Sequence, residues 1–494
     1  MSNKTDTFVL ELYLLQMNKL FHIKLIGTVV LTMLCSACGE DRTHEYEEKT
    51  QKDRWIETQM KQYYLWYADM PTLKETSYFN DPETFFKSLL STKCRSGKGD
   101  TFSYFEETDN TTEGASSNIY LDDTSTYGFD FAIYSDPTGK TTHRMARVLY
   151  VLADTPAAKA GLRRGDWIVS INGYNITANN SSELINGDAI TLSVCDLGVK
   201  QSGETVEYVW GDATDLSLSA SVSIESNPFY YVGIIDDTSY SGKKVGYMMY
   251  DHFAEGTDTE STKYRDKMKE HFSYFKSNGV TDFILDLRYN PGGYVTCVTD
   301  LCSYLAPASS LGQPLYTLKY NDLNSSSNKT TMLSTDAAAE NLNLSTLYVI
   351  TSQYTASASE ATIQCLKPYM DVKVLGSTTV GKNCASLEFK SDYGFTLHPI
   401  VAYLYNSKDE SDYEDGINPD YYYSEINNVY NLGTIGDPNT DLMLYYTMLW
   451  VRNGSLDLPT TSDGLTTKRA AGNALSPIDV TLSHRRCQGI MLTE

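Results

Sequence analysis

The chain has 494 residues, with 63 Asp and Glu against 40 Lys and Arg, and a formal net charge of -23. Phosphate repels such a surface, and no compact Lys/Arg-rich stripe offsets it, so nucleic acid is excluded as the main partner. Hydrophobic residues at 41% and charged residues at 21% exclude a disordered chain, and the length calls for two to four domains.

Residues 1–38 read as a targeting segment. The stretch before Met17 carries Asp6 and Glu11, poor chemistry for a signal, so Met17 is read as the start. Lys19 and Lys24 flank the entry to a short apolar run, Leu25 to Leu34, too short to span a bilayer. Ser36 and Ala37 then lead to Cys38. The pattern resembles a bacterial lipoprotein signal with Cys38 lipidated, although Cys35 stands where leucine is usual. An uncleaved anchor helix or a plain signal peptide is the alternative. The resemblance implies a lipid anchor at the outer membrane of a bacterial cell envelope, periplasmic or surface-exposed. Residues 39–53 read as an acidic tether.

Residues 54–120 read as a helical region, with one helix over Trp55–Ala68 and another from Pro82 to Leu90. Residues 127–210 read as a β-rich unit. Its short strands are MARVLYVL, WIVSING, AITLSV and VEYVW, with DTPAAKAGLRRGD between the first two. Pro156 starts a short helix, Gly161 caps it, Gly165-Asp166 turns, and Asn172-Gly173 is a hairpin signal. This unit resembles a PDZ domain. The resemblance places the carboxylate-binding loop at Tyr127, Gly128, Phe129, Asp130 and Phe131, beside a strand edge that adds a peptide as an extra strand.

From residue 220 to 454 strands and helices alternate, which indicates an α/β core with a mainly parallel sheet and flanking helices. Sites in such sheets collect at the carboxyl ends of strands, and three features fall there. Thr355-Ala356-Ser357-Ala358-Ser359-Glu360 follows a strand and opens a helix. Ser357 there is either a nucleophile beside free helical N–H groups or the N-cap of a capping box with Glu360. Val380-Gly381-Lys382-Asn383 sets a lysine after a buried strand, either solvated or desolvated enough to accept a proton. Asp286-Leu287-Arg288-Tyr289-Asn290-Pro291-Gly292-Gly293 ends in paired glycines, either a plain tight turn or a source of N–H donors for an oxyanion.

In this order, behind a PDZ-like unit, the three strings resemble the C-terminal processing peptidases, also called tail-specific proteases. The resemblance implies a serine endopeptidase with a Ser357–Lys382 dyad. It implies oxyanion donors from Gly292 or Gly293 and Ala358, and protein or peptide substrates captured by their C-terminal ends. The family's orienting glutamine is replaced by Ser386. That departure motivates the alternative of a non-catalytic peptide-binding lipoprotein with the same fold. A Ser–His–Asp arrangement through His252 or His398 is a further option, without a G-x-S-x-G elbow to support it.

No cofactor is implied. Nine cysteines lie scattered without metal-ligand spacing, and HExxH is absent, so no metal site is expected. The cysteines read as small buried residues or as one or two disulfides. Residues 405–424 read as a solvated acidic loop, with calcium as the alternative, and 455–494 as a polar tail.

Overall fold

The computed structural model describes residues 17, 43–107, 125–202, 205–236, 242–257, 259–427, 432–456, 475–484 and 489–492. Cys38 and the rest of the targeting segment, Met17 apart, lie outside these residues. No described helix is long and apolar enough to cross a membrane.

The chain divides into two compact units. The smaller one, residues up to Thr58 with Thr72–Ser88, contains most of helix α1 (Thr43–Tyr63) and helix α2 (Pro82–Ser88). Within it Arg54 lies over the rings of Tyr46 and Tyr78, and Tyr78 donates to Glu57 at 2.9 Å. Everything else belongs to the larger unit.

The PDZ-like part of the larger unit is an antiparallel sheet. It is built from β1 (Phe129–Ser135), β2 (Arg144–Val151), β3 (Trp167–Ile171), β4 (Ile190–Cys195) and β5 (Thr214–Leu218), paired in that order. Between β2 and β3 runs the short helix α3 (Pro156–Ala160). Thr155 caps it by accepting from the Ala158 N–H at 3.3 Å, Pro156 opens it, and left-handed Gly161 (φ 89°) closes it. Asn172 and Gly173 both have positive φ, as a hairpin turn between right-twisted strands requires. The sheet runs past residue 210. VEYVW lies in a separate hairpin with Leu197–Ser202, and the closing strand is β5, whose apolar residues are too few to announce it.

The core carries a six-stranded sheet of β6 (Phe229–Asp236), β7 (Lys244–Tyr250), β8 (Val280–Asp286), β12 (Thr346–Thr351), β13 (Asp371–Gly376) and β16 (Tyr421–Tyr422). Only the β6–β7 pair is antiparallel. The connections supply helices α4 (Lys263–Ser277), α5 (Val295–Leu305) and α6 (Ala358–Leu366). In α4, Tyr264, Met268, Phe272 and Phe275 recur at helical spacing and are the buried face. Every residue of α6 is buried, so its Ala, Ser and Thr content is what lets neighbouring backbones come close.

A second six-stranded sheet stands beside the first. Its order is β9 (Gly292–Tyr294), β18 (Gly489–Met491), β14 (Cys384–Ser386), β15 (Ile400–Asn406), β10 (Pro314–Tyr320) and β11 (Lys329–Met332). It is mixed, parallel from β9 through β14 and antiparallel beyond. The fold is therefore an α/β core joined to a PDZ-like sheet, with helix α7 (Leu442–Asn453) contributing Met443, Leu444 and Trp450 to the apolar layer that also receives Tyr134 and Trp167. The segment read as a polar tail contains β17 (Asp479–Val480) and β18.

Candidate active site

Residues 352–357 connect β12 to α6 and are held by hydrogen bonds at nearly every step. Thr355 Oγ1 donates to Leu287 O at 2.7 Å and accepts from the Ser352 N–H at 2.9 Å. The Ala356 N–H donates to Asn290 O at 3.0 Å, and Ser359 Oγ to the same carbonyl at 3.1 Å. Ser357 then takes φ 61° and ψ -112°, a conformation that non-glycine residues avoid at a cost of about 1–3 kcal/mol. Its side chain is fully buried, and its Oγ has no hydrogen-bond partner. The Ser357–Glu360 capping-box arrangement is present, but Ser357 Oγ makes no cap hydrogen bond.

Glu360 is the residue whose role the sequence disguises. Its Oε2 accepts from the N–H groups of Ser357 (2.6 Å) and Lys382 (2.9 Å). Its Oε1 accepts from the Gly381 N–H (2.6 Å) and the Thr379 hydroxyl. One carboxylate thus ties the serine turn to the lysine loop. Burial pushes its pKa up, and the donors around it, Thr379 first, pull the other way.

Lys382 is fully buried, with Nζ 4.9 Å from the centroid of the Phe102 ring. Arg95 covers the same ring at 4.1 Å and donates to Gly381 O and Glu414 O. Gly381 needs its φ of 88°, and a Cβ there would meet Glu414 O at 2.4 Å. The acidic loop packs here too. The Ile417 N–H donates to Thr379 Oγ1 at 2.7 Å, and Lys98 pairs with Asp415. Among the described residues, no cluster of His, Cys, Asp or Glu is arranged to hold a metal ion. Phe102 and Arg95 come from the region read as helical, which also contributes the strand Tyr104–Glu107, paired with Phe395–His398. Ser386 is buried on β14.

The paired glycines back directly onto the serine. A Cβ on Gly292 (φ 108°) would lie 2.7 Å from Ser357 Cβ and 3.0 Å from the Ala358 N. The Gly292 N–H already donates to Asn290 Oδ1 at 2.8 Å, while Asn290 Nδ2 holds Tyr250 O at 2.8 Å. Ala358 opens α6, so its N–H has no carbonyl four residues back in the helix.

Below this turn Arg288 is fully buried and bonds Asp286, Glu425 and Asp441. Arg164, just after α3, joins through Glu425 at 2.6 Å and Tyr289 at 2.7 Å. The PDZ-like sheet is thereby fastened to the strand that leads into the glycine turn by paired buried charges, whose separation would strand a charge.

Of the loop at residues 127–131, the Tyr127 N–H donates to Ile185 O at 3.3 Å and the Gly128 N–H to Thr126 Oγ1 at 3.1 Å. Gly128 (φ 89°) abuts Thr155 so closely that a Cβ would overlap it. Phe129, Asp130 and Phe131 enter β1 and line a cavity of ≈ 1670 Å³ that also touches Arg147, Tyr230 and Asp251. His252 lies 3.5 Å from Asp251 and 3.4 Å from Ser226 Oγ, and His398 lies 3.0 Å from Glu106, stacked on Tyr104. Six described cysteines are buried and free.

The chain matches the model of peptidase family S41 over residues 244–423, that of the S41 N-terminal domain over 51–104, and a PDZ-domain model over 147–194. It is similar to the crystal structure of a putative S41 protease from Bacteroides fragilis, with 34% identity and a TM-score of 0.71, covering 81% of this chain and 97% of that one. The chain belongs to peptidase family S41. Among curated relatives it is 24% identical over 277 residues to a carboxyl-terminal-processing protease of Synechocystis sp.. It is 24% identical over 313 residues to the carboxy-terminal processing protease CtpA of Bacillus subtilis. Those matches cover 55% and 61% of this chain and span 58% and 59% of the relatives' own lengths.

Within the S41 frame, three buried pieces converge: the serine turn, the lysine loop and the glycine turn. Asn290, Glu360, Phe102 and Arg95 organise them. Only Glu360 had a local signal, its three-residue offset from Ser357. The others act across long stretches of sequence.

Proposed function

We propose that this S41 chain is a serine endopeptidase that cleaves proteins presented by their C-terminal ends. The observation that carries the reading is the buried, unbonded Ser357 Oγ in a strained turn, tied through Glu360 to the loop of Lys382. In the reaction, Ser357 Oγ attacks the scissile carbonyl carbon and its proton passes to Lys382 Nζ, which must be neutral to receive it. The N–H groups of Ala358 and of the Gly292–Gly293 turn stabilise the oxyanion. The C–N bond then breaks, the amine leaves with the lysine's proton, and water releases the acyl group from Ser357. Ser386 stands four residues beyond the lysine and orients its amine. The reaction uses no cofactor.

The PDZ-like sheet captures the substrate tail, with the loop at 127–131 and the β1 edge as its contacts. Lipidation at Cys38 anchors the protein at the outer membrane of a bacterial envelope. The test follows an unstructured protein with an apolar C-terminus by intact mass. Parent protein cleaves it, and Ser357→Ala and Lys382→Ala each lose about 10³-fold or more. Cleavage retained in both variants would remove these residues from the mechanism.

A further inference from the structure

The chain's own late segment pairs with β1 of the PDZ-like sheet and with two strands beside Ser357 and Lys382. β17 pairs antiparallel with β1, Val480 opposite Ala132 and Asp479 opposite Ile133. The Ile478 N–H donates to Ile133 O at 2.6 Å. Thr481 Oγ1 accepts from the Phe131 N–H and donates to Phe131 O, both at 3.0 Å. Without β17, β1 would be the edge of its sheet, and an unpaired edge is a template for an added strand. Farther on, β18 lies between β9 and β14, parallel to both. Gly489 to Met491 oppose Gly292 to Tyr294 on one side, and Ile490 and Met491 oppose Ala385 and Ser386 on the other. β9 begins at the glycine turn, and β14 begins two residues after Lys382. A main chain in this slot runs beside both halves of the proposed dyad site.

We propose that residues 478–481 and 489–491 are intramolecular occupants of the peptide path, displaced by an incoming substrate chain, the first from the β1 edge and the second from the slot between β9 and β14. The proposal rests on the peptidase reading above. The shortness of the pairings makes displacement accessible. The pairings are two and three residues long, so each is broken at few hydrogen bonds. The anchors beyond these pairings are side chains and single bonds: Val480 and Leu482, each 3% exposed, Leu475 and Leu492 against the apolar cores, the Leu475 N–H on Asn427 O at 3.2 Å and the Leu492 N–H on Ser386 O at 3.4 Å.

The order of contacts separates the segment from a captured substrate. A tail held by its end at the PDZ-like sheet would send its upstream residues to the core. Here the upstream residues, 478–481, lie on the PDZ-like sheet and the downstream ones, 489–491, on the core. The segment fills the path in the opposite sense and blocks it without presenting itself for processing.

The test uses the full chain with Val480→Asp and Ile490→Pro combined. The first places a charge in an apolar layer, and the second removes an N–H from a strand paired on both sides. A fluorescent synthetic peptide spanning residues 475–492 should bind the double variant at least tenfold more tightly than the parent. It should also compete with substrate, whose kcat/KM should rise about tenfold or more. Equal binding by both proteins, or by neither, overturns the proposal. Adding Ser357→Ala to the double variant separates the two claims. Cleavage that survives it contradicts the peptidase reading, while the difference in peptide binding still decides the occupant. Hydrogen exchange on the unaltered protein decides it without any variant. Saturating substrate peptide should deprotect the amides of 478–481 and 489–491, and unchanged protection counts against displacement.

Discussion

The serine turn and the β1 edge are both fixed through their backbones, and they are built in opposite ways. At the serine turn the fixing groups, from Leu287, Asn290, Thr355, Glu360 and Gly381, all lie within the core, and one atom, Ser357 Oγ, is left without a partner. At the β1 edge the outward N–H of Phe131 is met by Thr481, some 350 positions away in the chain. A turn over-determined by its surroundings can hold a strained φ and a reactive oxygen. An edge satisfied by a short strand can exchange that strand for another. On the proposed function, chemistry belongs to the rigid turn and selection to the exchangeable edge.

The largest effect should come from loosening the rigid platform. Glu360→Gln keeps the volume but turns an amide NH2 toward N–H donors. It should lower kcat about 10²-fold with KM within about twofold, read by steady-state kinetics on a peptide substrate. The same change should leave the hydrogen-exchange protection of 478–481 at the β1 edge unaltered, since Glu360 does not touch that edge. Gly292→Ala comes next. Its Cβ would sit 2.7 Å from Ser357 Cβ at a φ that alanine rarely adopts, and activity should fall about tenfold with a stability loss of about 1–3 kcal/mol in urea.

A smaller and opposite change tests the strain itself. Ser357→Gly should abolish cleavage yet stabilise the fold by about 1 kcal/mol, because glycine adopts φ 61° freely. A destabilised glycine variant would contradict the strained turn. The smallest effect lies away from both platforms. Burial against Phe229 lowers the His271 pKa to about 4 from 6.5, with Lys267 adding to the shift. The native state prefers neutral imidazole, so this contribution is complete above pH 6.5 and is lost as the pH falls toward 4. His271→Phe should flatten the fall in Tm between pH 7 and pH 5.

Local signals carried much of this into the sequence. The alternation of strands and helices from residue 220 gave the α/β core. AGLRRGD gave the cap, the left-handed glycine and the turn that shape α3 and β3. SASE and GK placed a serine and a lysine at strand ends. What stayed hidden depends on contacts distant in sequence. Nothing near Phe102 or Arg95 says that they cover Lys382, since the ring meets the amine only after 280 residues have folded between them. Asn290 reads as a turn residue, yet its side chain accepts from the Gly292 N–H and holds Tyr250 O. Glu360 fits a capping box so well that its three other donors are invisible. The second sheet was missed for a similar reason: β14 and β18 are three residues each, too short for alternation to show.

The most direct test of the central claim is to trap the acyl-enzyme. The full chain would be mixed with a slowly deacylating activated ester of an apolar peptide, quenched in acid and digested for mass mapping. One acyl adduct is expected, on Ser357, absent in Ser357→Ala and formed far more slowly in Lys382→Ala. An adduct on another residue, or one that forms at the parent rate without Lys382, would contradict the claim.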